Sequence, residues 1–291
     1  MRMRIPKPIV TKVFLLSICA GCLLGEPLFQ ESSKSQPVLD EILKKCAEYC
    51  EKVEHSALFF VCQEKIKEIL YPGAGVTVYR TKGGTGASIW EQTREAVEKM
   101  NVFVYDYQLM KKGEEIKESR TLVEENGQKR NEKNAPLKTR RFYSLKSVFG
   151  PVGLVGTNYQ PLYEYSFIKE DKFAGRKAYV IEAIPKMKTQ EVPNYGKLWV
   201  DQEDSSILKI EMAQESLAGF DDFQKESKKK RLVPKFTTTH YYGLEKNGIR
   251  FPSKTTFVED YLRGRARFRC SETEIKYAKY KFFTVEVEVK Y

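Results

Sequence analysis

The chain has 291 residues, 41% of them apolar, and 50 Lys and Arg against 39 Asp and Glu give it a formal charge of +11. That length and composition support the packed core of one large all-β domain or two small domains. Outside the N-terminus and a run at Lys228, Lys229, Lys230 and Arg231, charges of both signs are interspersed with no basic stripe between exposed aromatics, which argues against a nucleic-acid partner.

The N-terminus comes first in the argument. Arg2, Arg4, Lys7 and Lys12 precede an apolar stretch over residues 13–24, with small residues Ala20, Gly21 and Gly25 near its end. This is the layout of a secretory signal peptide over residues 1–25. The stretch falls short of the roughly 20 apolar residues that span a bilayer. The expected location is periplasmic or secreted. The alternative is a lipoprotein anchored through Cys22, although Cys19 stands where such proteins carry a large aliphatic residue. Residues 26–36 read as a polar tether and residues 37–291 as one domain. Beyond the signal, Cys46, Cys50, Cys62 and Cys270 remain. An oxidising compartment suggests a bridge from Cys62 to Cys46 or Cys50. A four-thiolate zinc site lacks the paired spacing it needs, so no metal and no cofactor are expected.

From Pro37, Leu39, Ile42, Leu43, Cys46, Cys50 and Val53 fall at helical spacing on one face, with Asp40 and Glu41 near the N-terminal end. Residues 59–70 read as a first strand or mixed segment, and the glycine-rich residues 73–86 as a turn without phosphate-loop spacing. From residue 101 onward, period-two alternation and turn chemistry predict antiparallel hairpins. Residues 103–109 run back through 119–125. Residues 128–141 form a charged loop, 142–149 a short apolar helix and 153–157 an apolar loop. Further hairpins join 162–169 to 177–184, 197–200 to 207–212, 236–244 to 249–262, and 266–277 to 281–291. The expected class is mainly β (α+β): about ten antiparallel strands in a sheet that curls or closes, because flat open sheets of that size are disfavoured. An amphipathic helix stands in front of these strands and a short one in their middle.

Two hairpins carry distinctive wording, Gly175-Arg176-Lys177-Ala178-Tyr179-Val180-Ile181-Glu182 with Pro185-Lys186, and Gly196-Lys197-Leu198-Trp199-Val200-Asp201 followed by residues 207–210. With Asn247-Gly248-Ile249-Arg250-Phe251-Pro252, this order resembles the LolA-type superfamily of periplasmic lipoprotein carriers. The resemblance implies an incomplete antiparallel β-barrel of about ten strands, with the N-terminal amphipathic helix and the short central helix across its concave face and an apolar cavity that holds acyl chains or lipidated partners. The chain departs from the small carriers in its length, its charged loop at 128–141 and its basic run at 225–231.

Elementary energetics fit a carrier, since a buried acyl chain gains about 0.8 kcal/mol per methylene. Candidate cavity-lining residues are Phe103, Tyr105, Tyr107, Leu198, Val200, Leu208, Ile210, Phe283, Val285 and Val287, each of which serves equally well as ordinary core. Catalysis is not expected. Only His55 and His240 are available, no nucleophile elbow is present, and the carboxylate pairs Glu114-Glu115 and Asp221-Asp222 read as solvated loops. The partners expected are a lipid or lipidated protein, with an anionic membrane surface met through Lys228, Lys229, Lys230 and Arg231. The alternatives are a membrane-tethered sensor or protein-interaction module, or a scaffold with a filled core.

Overall fold

The structure, a computed structural model, describes residues 32–56, 59–71, 77–80, 87–90, 99–112, 115–142, 147–187, 194–217 and 219–283. The signal peptide with Cys22, most of the glycine-rich stretch, and the final strand with Val285 and Val287 lie outside the described residues. No helix among the described residues is long and apolar enough to cross a membrane.

Helix α1 (Ser32–Ser56) leads into strand β1 (Phe59–Leu70). A small ribbon of β2 (Thr77–Arg80) and β3 (Ala87–Trp90) precedes β4 (Lys99–Lys112), β5 (Glu115–Glu125) and β6 (Gln128–Glu132). A 3-10 turn at Ser147–Phe149 and the one-turn α2 (Val152–Val155) stand before β7 (Tyr163–Phe173), β8 (Arg176–Pro185), β9 (Gly196–Asp201) and β10 (Ile207–Met212). After α3 (Phe220–Lys229) come β11 (Val233–Tyr241), β12 (Leu244–Lys246), β13 (Ile249–Phe251), β14 (Lys254–Arg263) and β15 (Ala266–Phe282). Eleven strands make one antiparallel sheet in the order β6-β5-β4-β1-β15-β14-β11-β10-β9-β8-β7. The two ends do not meet, so this is an incomplete barrel with its helices on the concave side. Both free edges are blunted against further pairing: β6 is exposed and polar throughout, and β7 carries a bulge between Phe167 and Lys169.

The predicted face of α1 is the one that packs, with Leu39, Ile42, Cys46, Cys50 and Val53 buried against the sheet. The helix begins at Ser32, inside the segment expected as tether. Turn chemistry sets the hairpins. Asn126-Gly127, Ala174-Gly175 and Asn247-Gly248 all have left-handed backbone at both positions, the conformation of the two-residue turns that match strand twist. Gly196, which opens one of the quoted motifs, is needed for space, because a Cβ there would lie 2.1 Å from the carbonyl oxygen of Glu211. The ends of the two motifs also meet: Arg176 binds the buried Asp201 carboxylate, and Arg250 donates to Ser206 at 2.6 Å beside it.

Several expectations need correction. Residues 128–132 form β6 rather than loop, because Asn126-Gly127 is a strong hairpin turn. Residues 152–155 form α2 rather than loop, and the apolar stretch before them gives only a 3-10 turn in its described part. Residues 220–229 form helix α3, with Asp221 and Asp222 in its first turn and Lys228 and Lys229 in its last, the arrangement that complements a helix dipole. The strand starting at Ala266 does not turn near Tyr277. It runs on to Phe282, pairing with β14 and β1, because Lys279 takes a left-handed conformation in a bulge opposite β1 instead of a turn. The four cysteines are free, buried thiols and no bridge joins them.

His240 lies on the concave side of β11, its Nδ1 3.0 Å from the Thr255 hydroxyl, and burial pushes its pKa down to about 4. The unfolded chain therefore binds a proton that the folded ring refuses between about pH 6.5 and pH 4. Stability contributed by this site is present in full above about pH 6.5 and falls as pH drops through that window. His240→Gln should flatten the decline by up to about 1.4 kcal/mol per pH unit, measured by urea unfolding at several pH values. Parallel profiles for the two proteins would contradict this.

Candidate functional site: the concave face and its mouth

The sequence-predicted lining residues are split by the structure. Phe103, Tyr105 and Tyr107 on β4, Leu198 and Val200 on β9, and Ile210 on β10 all lie in the main core beneath the helices. Leu208 points to the opposite, convex face, where it packs with Ala178, Val180 and Trp199. A bulge between Ile207 and Lys209 causes this, because it breaks the period-two alternation that Leu208 and Ile210 otherwise share. Lys209 covers the convex patch, with its ammonium 3.3 Å from the Trp199 ring centroid. Phe283 is 55% exposed just beyond β15. Val285 and Val287 are outside the described residues.

A strap over residues 133–142 crosses the concave face. Its anchors are polar. Ala135 N–H donates to the Arg120 carbonyl at 2.9 Å, and the Tyr105 hydroxyl accepts from Lys138 N–H at 3.1 Å while donating to the Pro136 carbonyl at 3.3 Å. The fully buried Glu68 carboxylate accepts from the backbone N–H groups of Arg140 at 2.7 Å and Arg141 at 3.1 Å, and from Asn101 at 3.0 Å. Phe142 then stacks on Phe257 with centroids 4.6 Å apart, and Arg141 reaches the buried Glu259 at 3.5 Å. The strap thus covers part of the concave face on which a carrier would seat its cargo.

Beside the strap lies a buried charge cluster. Arg120 donates from Nε and Nη2 to Glu64 at 2.6 and 3.2 Å and from Nη1 to Glu118 at 3.4 Å, with its guanidinium 4.5 Å from the Tyr107 ring centroid. Tyr107 donates to Glu118 at 2.6 Å. Burial works against the Arg120 charge, but the bonds and charge of Glu64 outweigh it and hold the guanidinium protonated. A void of about 10 Å³ between Arg120, Ser147, Tyr277 and Tyr280 is about the size for one water.

Tyr277 and Tyr280 are also walls of a larger opening. A groove of about 460 Å³ lies at the end of the barrel, between the β12–β13 ribbon and the last turns of β15. Its walls include Leu244, Tyr277, Tyr280 and Phe282, and its rim carries Glu245, Lys246 and Lys279. The aromatic wall is built in depth. Phe251 packs on Phe282 at 4.8 Å and on Tyr280 at 5.6 Å, and Phe60 packs on Tyr280 at 5.2 Å. The Tyr280 hydroxyl donates to the Pro252 carbonyl at 2.7 Å, fixing the ring. The bulge at Lys279 turns Tyr280 inward although it stands three positions after Tyr277, an odd spacing that alternation would put on the other face. That bulge is why the reading from sequence missed the groove. The exposed aromatic run at its edge was the available signal.

Among the described residues no group of three or more His, Cys, Asp or Glu is placed to hold a metal ion. No family model and no curated protein matches the chain. Among solved structures it is similar to a domain from Vibrio parahaemolyticus named for outer-membrane lipoprotein sorting, at 13% identity over 86% of this chain and 95% of that one, TM-score 0.36. It is also similar to a DUF1329 family protein from Desulfovibrio piger, at 14% identity over 84% and 92%, TM-score 0.36. A LolA superfamily protein from Nitrosomonas europaea is similar at 13% identity over 85% and 94%, TM-score 0.31. The last bears the name of the superfamily that the hairpin motifs resemble.

The buried pair gives a direct stability test. Arg120→Leu strands Glu64 without its partner and should cost about 3–5 kcal/mol, whereas Glu64→Leu combined with Arg120→Leu should cost much less. Urea unfolding of the three variants measures both. A harmless single variant would show that the cluster does not hold the concave face together.

Proposed function

We propose that the chain is a non-catalytic carrier, acting in the periplasm or after secretion, that accepts an acyl chain of a lipid or of a lipidated protein in the groove at the mouth of the half-barrel. The observation that carries this reading is the aromatic-walled groove of about 460 Å³, which falls within the roughly 300–1,000 Å³ of small-molecule sites. Tyr277, Tyr280 and Phe282 offer apolar surface to a tail, and Lys246 and Lys279 at the rim suit the carboxylate or phosphate of a headgroup. The strap and α1 already cover the face that Tyr105 and Leu198 line, which supports seating the tail at the mouth rather than along the sheet. The resemblance of the two hairpin motifs to lipoprotein carriers agrees with this reading, as does the signal-like segment at residues 1–25.

Titration with a fluorescent long-chain fatty acid tests it. Ala278→Trp, which fills the groove, and Phe282→Asp, which places a charge in its wall, should each weaken binding about tenfold or more, while Lys133→Glu, exposed at the start of the strap and outside the groove lining, should leave it unchanged. Full affinity in both groove variants would contradict the assignment.

A further inference from the structure

The convex face breaks a pairing rule in one place. Lys65 on β1 stands directly opposite Lys276 on β15, which stands opposite Lys254 on β14. With strands about 4.8 Å apart, three lysines share about 10 Å of sheet, and like charges placed opposite one another are destabilising. The neighbouring row on the same face follows the rule: Lys67 faces Glu274, and Lys197 lies between Glu211 and Glu182. Lys276 finds Glu274 along its own strand at 2.9 Å. Lys65 and Lys254 have no ion pair among the described residues, and Lys254 is held with its ammonium 4.5 Å from the Tyr241 ring centroid.

The same end of β15 continues with exposed Lys279 and Lys281, and then with Phe282 and Phe283, which are 37% and 55% exposed. Across the groove, Leu244 is 36% exposed. Lys279 and Lys281 flank these rings, and the lysine row lies five to six positions back along the strands; cations among headgroups with aromatic rings at the interface are the pairing that an anionic bilayer surface rewards. An acidic protein segment would satisfy the lysines and leave the aromatic rings in water. The run at residues 228–231 is a poorer candidate, since Lys229 binds Glu226 and the Lys230 ammonium is turned inward.

We infer that the end of β15, with Lys279, Lys281, Phe282 and Phe283, and the adjoining convex face, with Lys65, Lys254 and Lys276, dock on an anionic lipid bilayer. Docking does not require the groove to hold a ligand, so it stands or falls separately from the carrier reading. The test is co-sedimentation of the protein with phosphatidylglycerol-containing and pure phosphatidylcholine vesicles, in low and high salt, with no free fatty acid present. Binding should be confined to the anionic vesicles and weakened by salt. Lys65→Glu with Lys254→Glu should lower it on the order of 100-fold, and Phe283→Ser should lower it less. Lys133→Glu with Lys228→Glu, the same change in net charge elsewhere, should leave it near the starting value. Thermal unfolding of each variant checks the fold. Equal binding to both vesicle types, or equal loss in the control, would overturn the inference. So would binding to polyglutamate without binding to vesicles, which would point to an acidic protein partner.

Discussion

A curled sheet of eleven strands has a concave face that must be covered, and in this chain carboxylates planted in that face decide what covers it. Glu68 is buried on β1 with two backbone N–H groups of the strap as its partners, and Glu64, four residues earlier on the same face, is closed by Arg120 from β5. Neither carboxylate is tolerable in an apolar cavity without those partners. The strap and the sheet are therefore mutually required: the strap satisfies charges that otherwise exclude a closed core, and those charges fix the path of a segment with little apolar content of its own. An acyl chain laid over Glu68 would have to displace its hydrogen bonds and offer none in return.

This displaces the open space toward the end of the barrel. There the left-handed Lys279 shifts the register of β15 against β1, and the side chains of Tyr277, Tyr280 and Phe282 gather with Phe60 and Phe251 from the neighbouring elements. Groove and exposed rings come together at the end of β15, with the lysine row behind them on the convex face. The bulge turns Tyr280 and Phe282 toward the concave face, and the lysines stand on the convex face of the same strands.

The hairpin order, the amphipathic face of α1 and the half-barrel class were legible because each rests on local signals: helical spacing at Leu39, Ile42, Cys46 and Val53, and turn residues between alternating strands. The site was harder to read because single-residue slips govern it. The bulge at residue 208 moves Leu208 to the convex face, and the bulge at Lys279 brings Tyr280 inward, while strict alternation predicts the reverse of each. The strap reads from sequence as a charged loop because its anchors to Glu68 are backbone amides, which carry no sequence signature. The β6 hairpin and helix α3 were different, since Asn126-Gly127 and the acidic-first, basic-last turn of residues 220–229 were present to be read. The lysine row becomes visible only once register is known, because Lys65, Lys254 and Lys276 are distant in sequence.

The most direct measurement is nuclear magnetic resonance of the isotope-labelled protein with a spin-labelled fatty acid, reading which backbone amides are broadened. The account predicts broadening of residues 244–246 and 278–282 around the groove, with amides of β9 and β10 beneath the helices unaffected. Broadening centred on Leu198 and Ile210, or none at any concentration that the ligand reaches in solution, would contradict it.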